Sequence, residues 1–556
     1  VYALLVVFAL AIVFHLFTIQ LVEGKKWRAE AVKIATTLRT VQPDRGHIYS
    51  EDGRLLATSV PQYDVRMDMR ADGLTDELFQ GNIDSLSWSL SQLFVDRSAA
   101  EYRRDLVAAR DRHERYFLVK RNVDHEQLKV LRAFPLYRLG RSKAGLVIEK
   151  RTIRMHPFNR LASRTVGYVL KDSTVIGLEG GFDKWLKGVT GHRWERRLSG
   201  GVWMPVDDEG AQDPVPGSDI HSTIDINLQD LADHALEAQL RKNGAHHGCV
   251  VVMETATGHV KAISNLTLQA DSSYAEDLNY AVGTSTEPGS TFKTASLMVA
   301  LDDGLVKATD QWDTKGGQVR FYNRIMHDSH DGGFGVINLH RALEVSSNTA
   351  ISQAIVKAYG KQPARFVEGL RRLGLDRPLG LRIPGEAMPI IRGPEDKKMW
   401  SGVSLPWMSI GYEVSLTPMQ TLAFYNGIAN NGRLMQPQFV THITRAGKEV
   451  ERFEPVALNE KMCSDATLKE IRSMLEGVVD TGTATNLREA HFRIAGKTGT
   501  AQVAQAKAGY KANGTSYQAS FVGYFPADAP RYSCIVVVSS PSMRGYYGNI
   551  VAGPIF

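Results

Sequence analysis

Three short groups of residues place hydroxyl, amine and amide side chains at spacings that suit attack on an acyl group. They are Ser290–Lys293, Ser346–Asn348 and Lys497–Gly499, and each pattern (S-x-x-K, S-x-N and K-T-G) occurs once in the 556 residues. A serine hydroxyl is a weak nucleophile at its ordinary pKa and needs an adjacent base. A desolvated lysine can supply that base. Together the three groups indicate nucleophilic catalysis by a serine.

The first group lies at the start of a predicted helix. Pro288 and Gly289 precede this helix, and Asp302–Gly304 ends it. Ser290 and Lys293 are three residues apart and would share one helical face. The unbonded N–H groups at a helix start can also stabilise a developing oxyanion. Taken alone, such a pair is more often a capping serine beside a surface lysine.

The second group predicts a proton relay and a substrate contact. The Ser346 hydroxyl could pass a proton between Lys293 and a leaving amine, and Asn348 could hold a substrate amide. The alternative is a polar turn between two helices, which is the usual meaning of Ser-Ser-Asn alone.

The last group lies in a predicted strand, Ile494–Gln502. Gly499 would allow a close approach to the strand backbone, so an extended substrate could pair along the strand edge. Lys497 and the hydroxyls of Thr498 and Thr500 would then meet a substrate carboxylate. The alternative is an ordinary surface strand. Nucleotide binding is disfavoured because the upstream glycine of a phosphate-binding loop is missing.

Metal ligands are the remaining candidates for chemistry. His327–Asp331 contains ligand-type side chains, but no further His or Cys stands nearby at ligand spacing. Cys249, Cys463 and Cys534 are too widely spaced for a disulfide framework or a zinc site. We therefore expect neither a metal nor a cofactor.

The composition is that of a globular protein with a membrane anchor. The chain is 43% hydrophobic and 23% charged, which allows a sizeable core. The net charge of +6, from 66 basic and 60 acidic residues, is too small to indicate nucleic acid binding. Residues 1–22 are apolar over the ~20 residues that cross a bilayer. A cleaved signal peptide is the alternative, but the apolar run outlasts the cleavage-like Ala9–Ala11.

The remaining elements predict a mixed α/β architecture. Pro214–Gly217 marks a boundary, so we expect an anchor over 1–22, a second domain over 23–217 and a third over 218–556. Strands and helices alternate in the third domain, which predicts a sheet sandwiched by helices. Its predicted elements are helix Asn227–Arg241 and strands Ile220–Ile224, Cys249–Met253, Val260–Ser264, Ile494–Gln502, Ser520–Phe525 and Tyr532–Val538.

Over nearly its whole length the chain resembles a class B penicillin-binding protein. Arg45–Ala57, Arg154–Tyr168 and Gly177–Gly191 resemble motifs of that family's pedestal domain, and Glu287–Lys293 and Lys497–Gln502 closely match its transpeptidase motifs. The resemblance implies an elongated, dimerisation-type pedestal. A transpeptidase domain with an antiparallel sheet sandwiched by helices would follow, and we expect its C-terminal portion to continue beyond the given sequence.

Two positions depart from the family pattern. Ser50–Asp52 stands where an Asp-Arg-Asn run is more usual, and Glu413 stands where glycine is common. We therefore expect the loop around Tyr412 to differ from that of its relatives.

The resemblance also implies an activity, that of a penicillin-sensitive serine D,D-transpeptidase acting on stem peptides that end in D-Ala-D-Ala. A serine acyl-enzyme would form, and an amine from a neighbouring strand would take the acyl group. The backbone N–H groups of Ser290 and Thr500 would form the oxyanion hole. The implied site residues are catalytic Ser290, Lys293, Ser346, Asn348 and Lys497 and substrate-binding Thr498, Gly499 and Thr500.

The Ser346–Asn348 form resembles the division-septum (FtsI) type more than the elongation type, which usually has aspartate at the third place. This implies a single-pass protein of the bacterial cytoplasmic membrane with an extracytoplasmic catalytic domain. Its partners would be β-lactams, a polytopic glycan-polymerising glycosyltransferase and other division proteins. An elongation-type enzyme, a β-lactamase, a β-lactam sensor and a non-catalytic scaffold are the alternatives.

Overall fold

A computed structural model describes residues 2–27, 36–169, 176–197, 203–205, 212–488, 490–503, 516–543 and 545–556. The chain divides into two compact units that alternate along the sequence. Unit 1 contains Val1–His47, Ala57–Met155 and Lys187–Ser218, and unit 2 contains Ile48–Leu56, His156–Leu186 and Asp219–Phe556. The boundaries expected at residues 22 and 217 stay predictions.

The strands of the described residues are numbered in chain order. They are β1 (Thr36–Val41), β2 (Ile48–Tyr49), β3 (Leu55–Met67), β4 (Phe117–Val123), β5 (Leu146–Met155), β6 (Gly191–Arg197), β7 (Trp203–Pro205), β8 (Asp219–Ser222), β9 (His247–Glu254), β10 (Val260–Leu268), β11 (Tyr274–Ala275), β12 (Gln311–Asp313), β13 (Gln318–Phe321), β14 (Arg324–His327), β15 (Val336–Asn338), β16 (Ile390–Ile391), β17 (Val414–Ser415), β18 (Leu434–Met435), β19 (Val440–Arg445), β20 (Lys448–Arg452), β21 (Ala457–Asn459), β22 (Ala495–Val503), β23 (Ser516–Phe525) and β24 (Tyr532–Ser539).

The α-helices are numbered in the same way. They are α1 (Tyr2–Phe17), α2 (Asp76–Phe94), α3 (Ala99–Asp111), α4 (His125–Leu131), α5 (Gly140–Ala144), α6 (Ser163–Val166), α7 (Gly177–Gly181), α8 (Asp183–Leu186), α9 (Ile226–Asn243), α10 (Tyr280–Gly283), α11 (Lys293–Asp302), α12 (Leu339–Glu344), α13 (Asn348–Tyr359), α14 (Pro363–Arg372), α15 (Ser404–Met408), α16 (Pro418–Ala429), α17 (Asp465–Asp480) and α18 (Gly548–Val551).

Unit 1 has its own core. In that core β3 pairs antiparallel with β4 and β5, and α2, α3 and α4 bury their apolar faces with the inner side chains of these strands. The amphipathic spacing of Phe79, Ile83, Leu86 and Leu90 explains why α2 packs through one face. A second antiparallel sheet joins β1, β6 and β7.

The N-terminal helix differs from the others because its apolar side chains are exposed. The segment Tyr2–Leu21 is long and apolar enough to cross a membrane, and none of it is buried. It combines α1 with a short π-helical continuation, Thr18–Val22.

Unit 2 is organised around a six-stranded sheet of the order β11-β10-β9-β24-β23-β22, in which every neighbouring pair is antiparallel. Along β24, Cys534, Val536 and Val538 lie in a core with α9, α17 and α18. Ile535 and Val537 alternate with them and face α16 on the opposite side. The predicted antiparallel sheet with helices on both faces is therefore confirmed, and β22 forms one of its edges.

Candidate active site

One groove of unit 2, with a volume of about 690 Å³, gathers most of the predicted site residues. Ser290, Ser346, Asn348, Thr498 and Thr500 line this groove. The two predicted lysines are fully buried beside it. Residues that are far apart in sequence thus meet at one surface, between the start of α11, the start of α13 and the edge strand β22.

Ser290 lies in a single 3-10 turn, Gly289–Phe292, that runs directly into α11 at Lys293. Gly289 has a φ of +57°, a conformation that favours glycine. Its N–H donates to the Gly411 carbonyl at 3.1 Å. A Cβ added to Gly289 would lie 3.1 Å from the Thr500 carbonyl oxygen. The turn that carries Ser290 is therefore packed directly against β22.

Lys293 is completely buried, and its amine is directed at Ser346. Its Nζ donates to the Ser346 carbonyl at 2.6 Å and to Ser346 Oγ at 3.1 Å. Ser346 has a φ of +58°, the left-handed region, which turns both of its oxygens towards the lysine. Burial lowers the pKa of Lys293 to about 7, against the opposing effect of the Asp328 charge. At neutral pH much of Lys293 is therefore an uncharged amine that can accept a proton.

Asp328 fixes the loop that carries Ser346 and Asn348. Its carboxylate accepts hydrogen bonds from Ser347 Oγ at 3.1 Å, from the Thr349 N–H at 2.9 Å and from Thr349 Oγ1 at 2.7 Å. In the sequence, Asp328 stands out only as a candidate metal ligand. No local pattern marks it as a loop anchor, because the contact joins residues that are distant along the chain.

Asn348 and the neighbouring histidine segment are joined by a second contact. Asn348 Nδ2 donates to the His327 carbonyl at 2.7 Å, while its side chain remains on the groove wall. Within the described ranges, no three His, Cys, Asp or Glu side chains are grouped so that they could hold a metal ion.

Lys497 lies on the edge strand β22, and its side chain is completely buried. Its Nζ donates to the Thr498 carbonyl at 3.1 Å. Burial lowers the pKa of Lys497 well below its usual value, and the nearby charge of Lys293 lowers it further. Thr498 Oγ1 shares a hydrogen bond of 2.6 Å with Thr483 Oγ1, a groove residue that the sequence analysis missed.

Gly499 is a glycine for steric reasons. A Cβ at this position would lie 2.3 Å from Ser520 Oγ and 2.9 Å from Thr291 Cγ2. The strand can therefore approach the turn that carries Ser290 only where a side chain is missing. Among the described residues β22 pairs only with β23, so an extended ligand could pair along its other edge.

Aromatic side chains, which the motif analysis did not find, line the far part of the groove. Tyr517 and Tyr546 stack with ring centroids 4.0 Å apart, and Tyr412 contributes to the same lining. Glu413, which follows Tyr412, has a φ of +58° and so takes a glycine-like conformation. Its N–H donates to Glu287 Oε1 at 2.9 Å, which holds the loop in place.

Comparisons with known proteins agree with this architecture. The family described as "Penicillin binding protein transpeptidase domain" matches residues 248–556, and "Penicillin-binding Protein dimerisation domain" matches residues 40–222. The chain is 29% identical over 411 residues to the penicillin-binding protein PbpB of Mycolicibacterium smegmatis, which covers 71% of this chain and 61% of that protein.

Two further similarities cover nearly the whole chain. The peptidoglycan D,D-transpeptidase FtsI of Escherichia coli K12 is 25% identical over 532 residues, which is 93% of this chain and 83% of that protein. Penicillin-binding protein 2X from Streptococcus thermophilus has a TM-score of 0.76 at 20% identity, over 93% of this chain and 79% of that one. At that identity the structural similarity supports the fold alone.

Proposed function

The chain belongs to the class B penicillin-binding protein D,D-transpeptidase family, and we propose that it cross-links peptidoglycan stem peptides through an acyl-enzyme on Ser290. The observation that carries the proposal is the convergence of Ser290, the buried Lys293–Ser346 pair and the Thr498 edge strand on one groove. A nucleophile, a neutral base and an open strand edge are the parts that transfer of a peptide acyl group requires.

In the first step, Ser290 Oγ bonds to the carbonyl carbon of the penultimate D-Ala while its proton passes to neutral Lys293. The N–H groups of Ser290 and Thr500 would stabilise the oxyanion, since the two residues lie on adjoining walls of the groove. The C–N bond then breaks, and the D-alanine amine leaves with a proton passed from Lys293 through Ser346.

In the second step, the amine of a neighbouring stem peptide attacks the acyl carbon. Its proton returns through the same lysine to Ser290 Oγ, which leaves as the free hydroxyl. Asn348 would hold the amide of the acyl donor. Before the first step, Lys497, Thr498 and Thr500 would hold the carboxylate of the D-alanine that later leaves, because they offer an amine and two hydroxyls along one strand.

Covalent labelling tests this proposal. A labelled penicillin should add once, at Ser290, and Ser290→Ala should abolish the mass increase. Ser296→Ala is the matched control, because Ser296 lies on α11 but donates to the Ser409 carbonyl at 2.9 Å, within the core. Labelling that survives Ser290→Ala would exclude Ser290 as the nucleophile.

The apolar helix supports a membrane-anchored protein, and we propose that its catalytic domain is extracytoplasmic. Tyr2–Leu21 has the length and composition of a single span, and none of it is buried. Produced from its own gene in its own host, the protein should stay in the membrane fraction during an alkaline wash. A soluble product that begins near Phe14 would show a cleaved signal instead.

The Ser346–Asn348 form and the similarity to FtsI favour a role at the division septum. A polytopic glycosyltransferase would then polymerise the glycan that this chain cross-links. Depletion should give filaments with failed septa in rods, or enlarged undivided cells otherwise, and Ser290→Ala should not rescue them. Loss of rod shape with division intact would instead favour the elongation type.

A further inference from the structure

We propose that Glu344 is a positioning residue. It fixes the segment that carries Ser346, on one wall of the groove, relative to the strand β22 that carries Thr498, on the other wall. Glu344 lies outside the three motifs and is the last residue of α12. The inference rests on the proposed function, since it concerns the rate at which Ser290 is acylated. It does not place Glu344 in contact with the substrate.

The carboxylate of Glu344 is almost buried and fully bonded. Oε1 accepts from His340 Nδ1 at 2.9 Å. Oε2 accepts from an Arg341 guanidinium N–H at 2.6 Å and from Thr481 Oγ1 at 3.1 Å. The Glu344 side chain is 10% exposed, whereas its partners His340, Arg341 and Thr481 reach solvent, so these hydrogen bonds are partly shielded from water.

The backbone of Glu344 reaches the other wall. Its carbonyl accepts from the Thr483 N–H at 3.1 Å. Thr483 Oγ1 in turn shares the 2.6 Å hydrogen bond with Thr498 Oγ1. Only two residues after Glu344, Ser346 receives the Lys293 amine. One residue therefore connects the partner of the proposed base with the hydroxyl proposed to bind the substrate carboxylate.

Two glycines, Gly477 and Gly482, leave room for Glu344. A Cβ on Gly477 would lie 2.3 Å from Glu344 Oε1, and a Cβ on Gly482 would lie 2.3 Å from the Glu344 carbonyl oxygen. Gly477 lies on α17 and Gly482 lines the groove. Both contacts are possible only because glycine has no side chain. Glu344 is therefore packed closely against its neighbours, unlike a residue in an incidental surface ion pair.

Geometry explains why such a residue would affect catalysis. Displacement of a reacting or binding group by about 1 Å can lower a rate by about 100-fold. Without the Glu344 carboxylate, Arg341 and Thr481 lose their shared acceptor but keep their hydrogen bonds to each other. The backbone hydrogen bond from Thr483 to the Glu344 carbonyl remains, so we expect a limited shift of the Thr481–Thr483 turn, and of the Thr498 hydroxyl with it. We expect a substrate-binding defect larger than the turnover defect.

The test measures penicillin acylation rates, together with kcat and KM for a thioester stem-peptide mimic, on the full chain. Glu344→Ala should lower the acylation rate constant about 10- to 100-fold and raise KM more than it lowers kcat. Glu344→Gln keeps an oxygen for Thr481 and should recover most of the rate.

Asp303→Ala is the matched control. Asp303 is also a carboxylate of about 9% exposure beyond a helix end, and it accepts from Tyr359, Arg365 and Arg372. It lies at the end of α11 opposite to Lys293, so its loss should lower thermal stability but leave the acylation rate of the folded protein within about twofold.

Several outcomes would overturn the inference. One is a folded Glu344→Ala that is acylated at the wild-type rate, and another is an Asp303→Ala that shows the same defect. If Glu344→Ala does not fold, Thr483→Val removes the link to Thr498 alone, and a wild-type KM in that variant would also overturn it. A wild-type protein that takes no penicillin would instead exclude the proposed function.

Discussion

The acylation of Ser290 should depend on pH through Lys293. With a pKa of about 7, the neutral amine rises from ~10% at about pH 6 to ~90% at about pH 8. The acylation rate constant should therefore rise about tenfold across that interval and fall as pH decreases through about 7. The displacement of the pKa from 10.5 corresponds to ~5 kcal/mol against the charged amine, which burial supplies.

Removal of the Asp328 charge should move this profile. That carboxylate favours protonated Lys293, so Asp328→Asn should lower the pKa and shift the midpoint of acylation to lower pH. Asparagine keeps one oxygen for the Thr349 N–H. Asp331→Asn is the matched control, because Asp331 lies in the same loop with an exposed side chain, and its midpoint should not change.

Stopped-flow acylation with a chromogenic β-lactam, from about pH 5 to about pH 9, measures both effects. Denaturation curves at the extremes separate acylation from unfolding. A rate constant that does not vary between about pH 6 and pH 8 would remove neutral Lys293 as the base. A midpoint that moves to higher pH in Asp328→Asn would show that the Asp328 charge does not act on that base.

Three further predictions concern the groove and its support. Gly499→Ala should lower the free energy of unfolding by ~1–3 kcal/mol and slow acylation, because the new Cβ would meet Ser520 Oγ at 2.3 Å; urea denaturation and labelling rates check this. When a carboxylate ligand binds the Ser290→Ala protein at neutral pH, the protein should take up protons, because an anion raises the depressed pKa of Lys497. Titration calorimetry in buffers of different ionisation enthalpy measures this uptake. A binding reaction without proton uptake would argue against a contact between Lys497 and the carboxylate. Burial raises the pKa of Glu276 to about 7. Protonated Glu276 therefore stabilises the fold fully below pH 4.5, and this contribution is lost as pH rises through about 7. Relative to Glu276→Gln, the free energy of unfolding of the wild type should fall by ~3 kcal/mol between about pH 5 and pH 8, as measured by calorimetry.

Much of the third predicted domain could be recognised from sequence, because its elements are long and strongly patterned. Helix Asn227–Arg241 corresponds to α9, Ile226–Asn243, and strand Tyr532–Val538 corresponds to β24, Tyr532–Ser539. Both have caps or apolar runs that local rules detect. The antiparallel order of the sheet, in contrast, came from resemblance, because strand order depends on contacts between distant segments.

In the candidate active site, too, local spacing could be predicted from sequence but contacts between distant segments could not. Ser290 and Lys293 are one helical turn apart, so their proximity follows from sequence spacing. The roles of Asp328 and Glu344 do not, because each acts through hydrogen bonds to segments that no local period connects to it. The left-handed conformation of Ser346 was equally unpredictable, since serine has no general preference for positive φ.

The two buried lysines would favour an anionic ligand in the groove. Lys293 and Lys497 are fully buried, and neither forms an ion pair within the part of the chain that the structure describes. The charge of Lys293 lowers the pKa of Lys497, so both cannot be charged at low cost while the groove is empty. A ligand carboxylate above Lys497 would relieve that cost by pairing with one charge, while the neutral form of Lys293 remains available as a base. Substrate binding and activation of the serine would then be linked by one pair of buried amines.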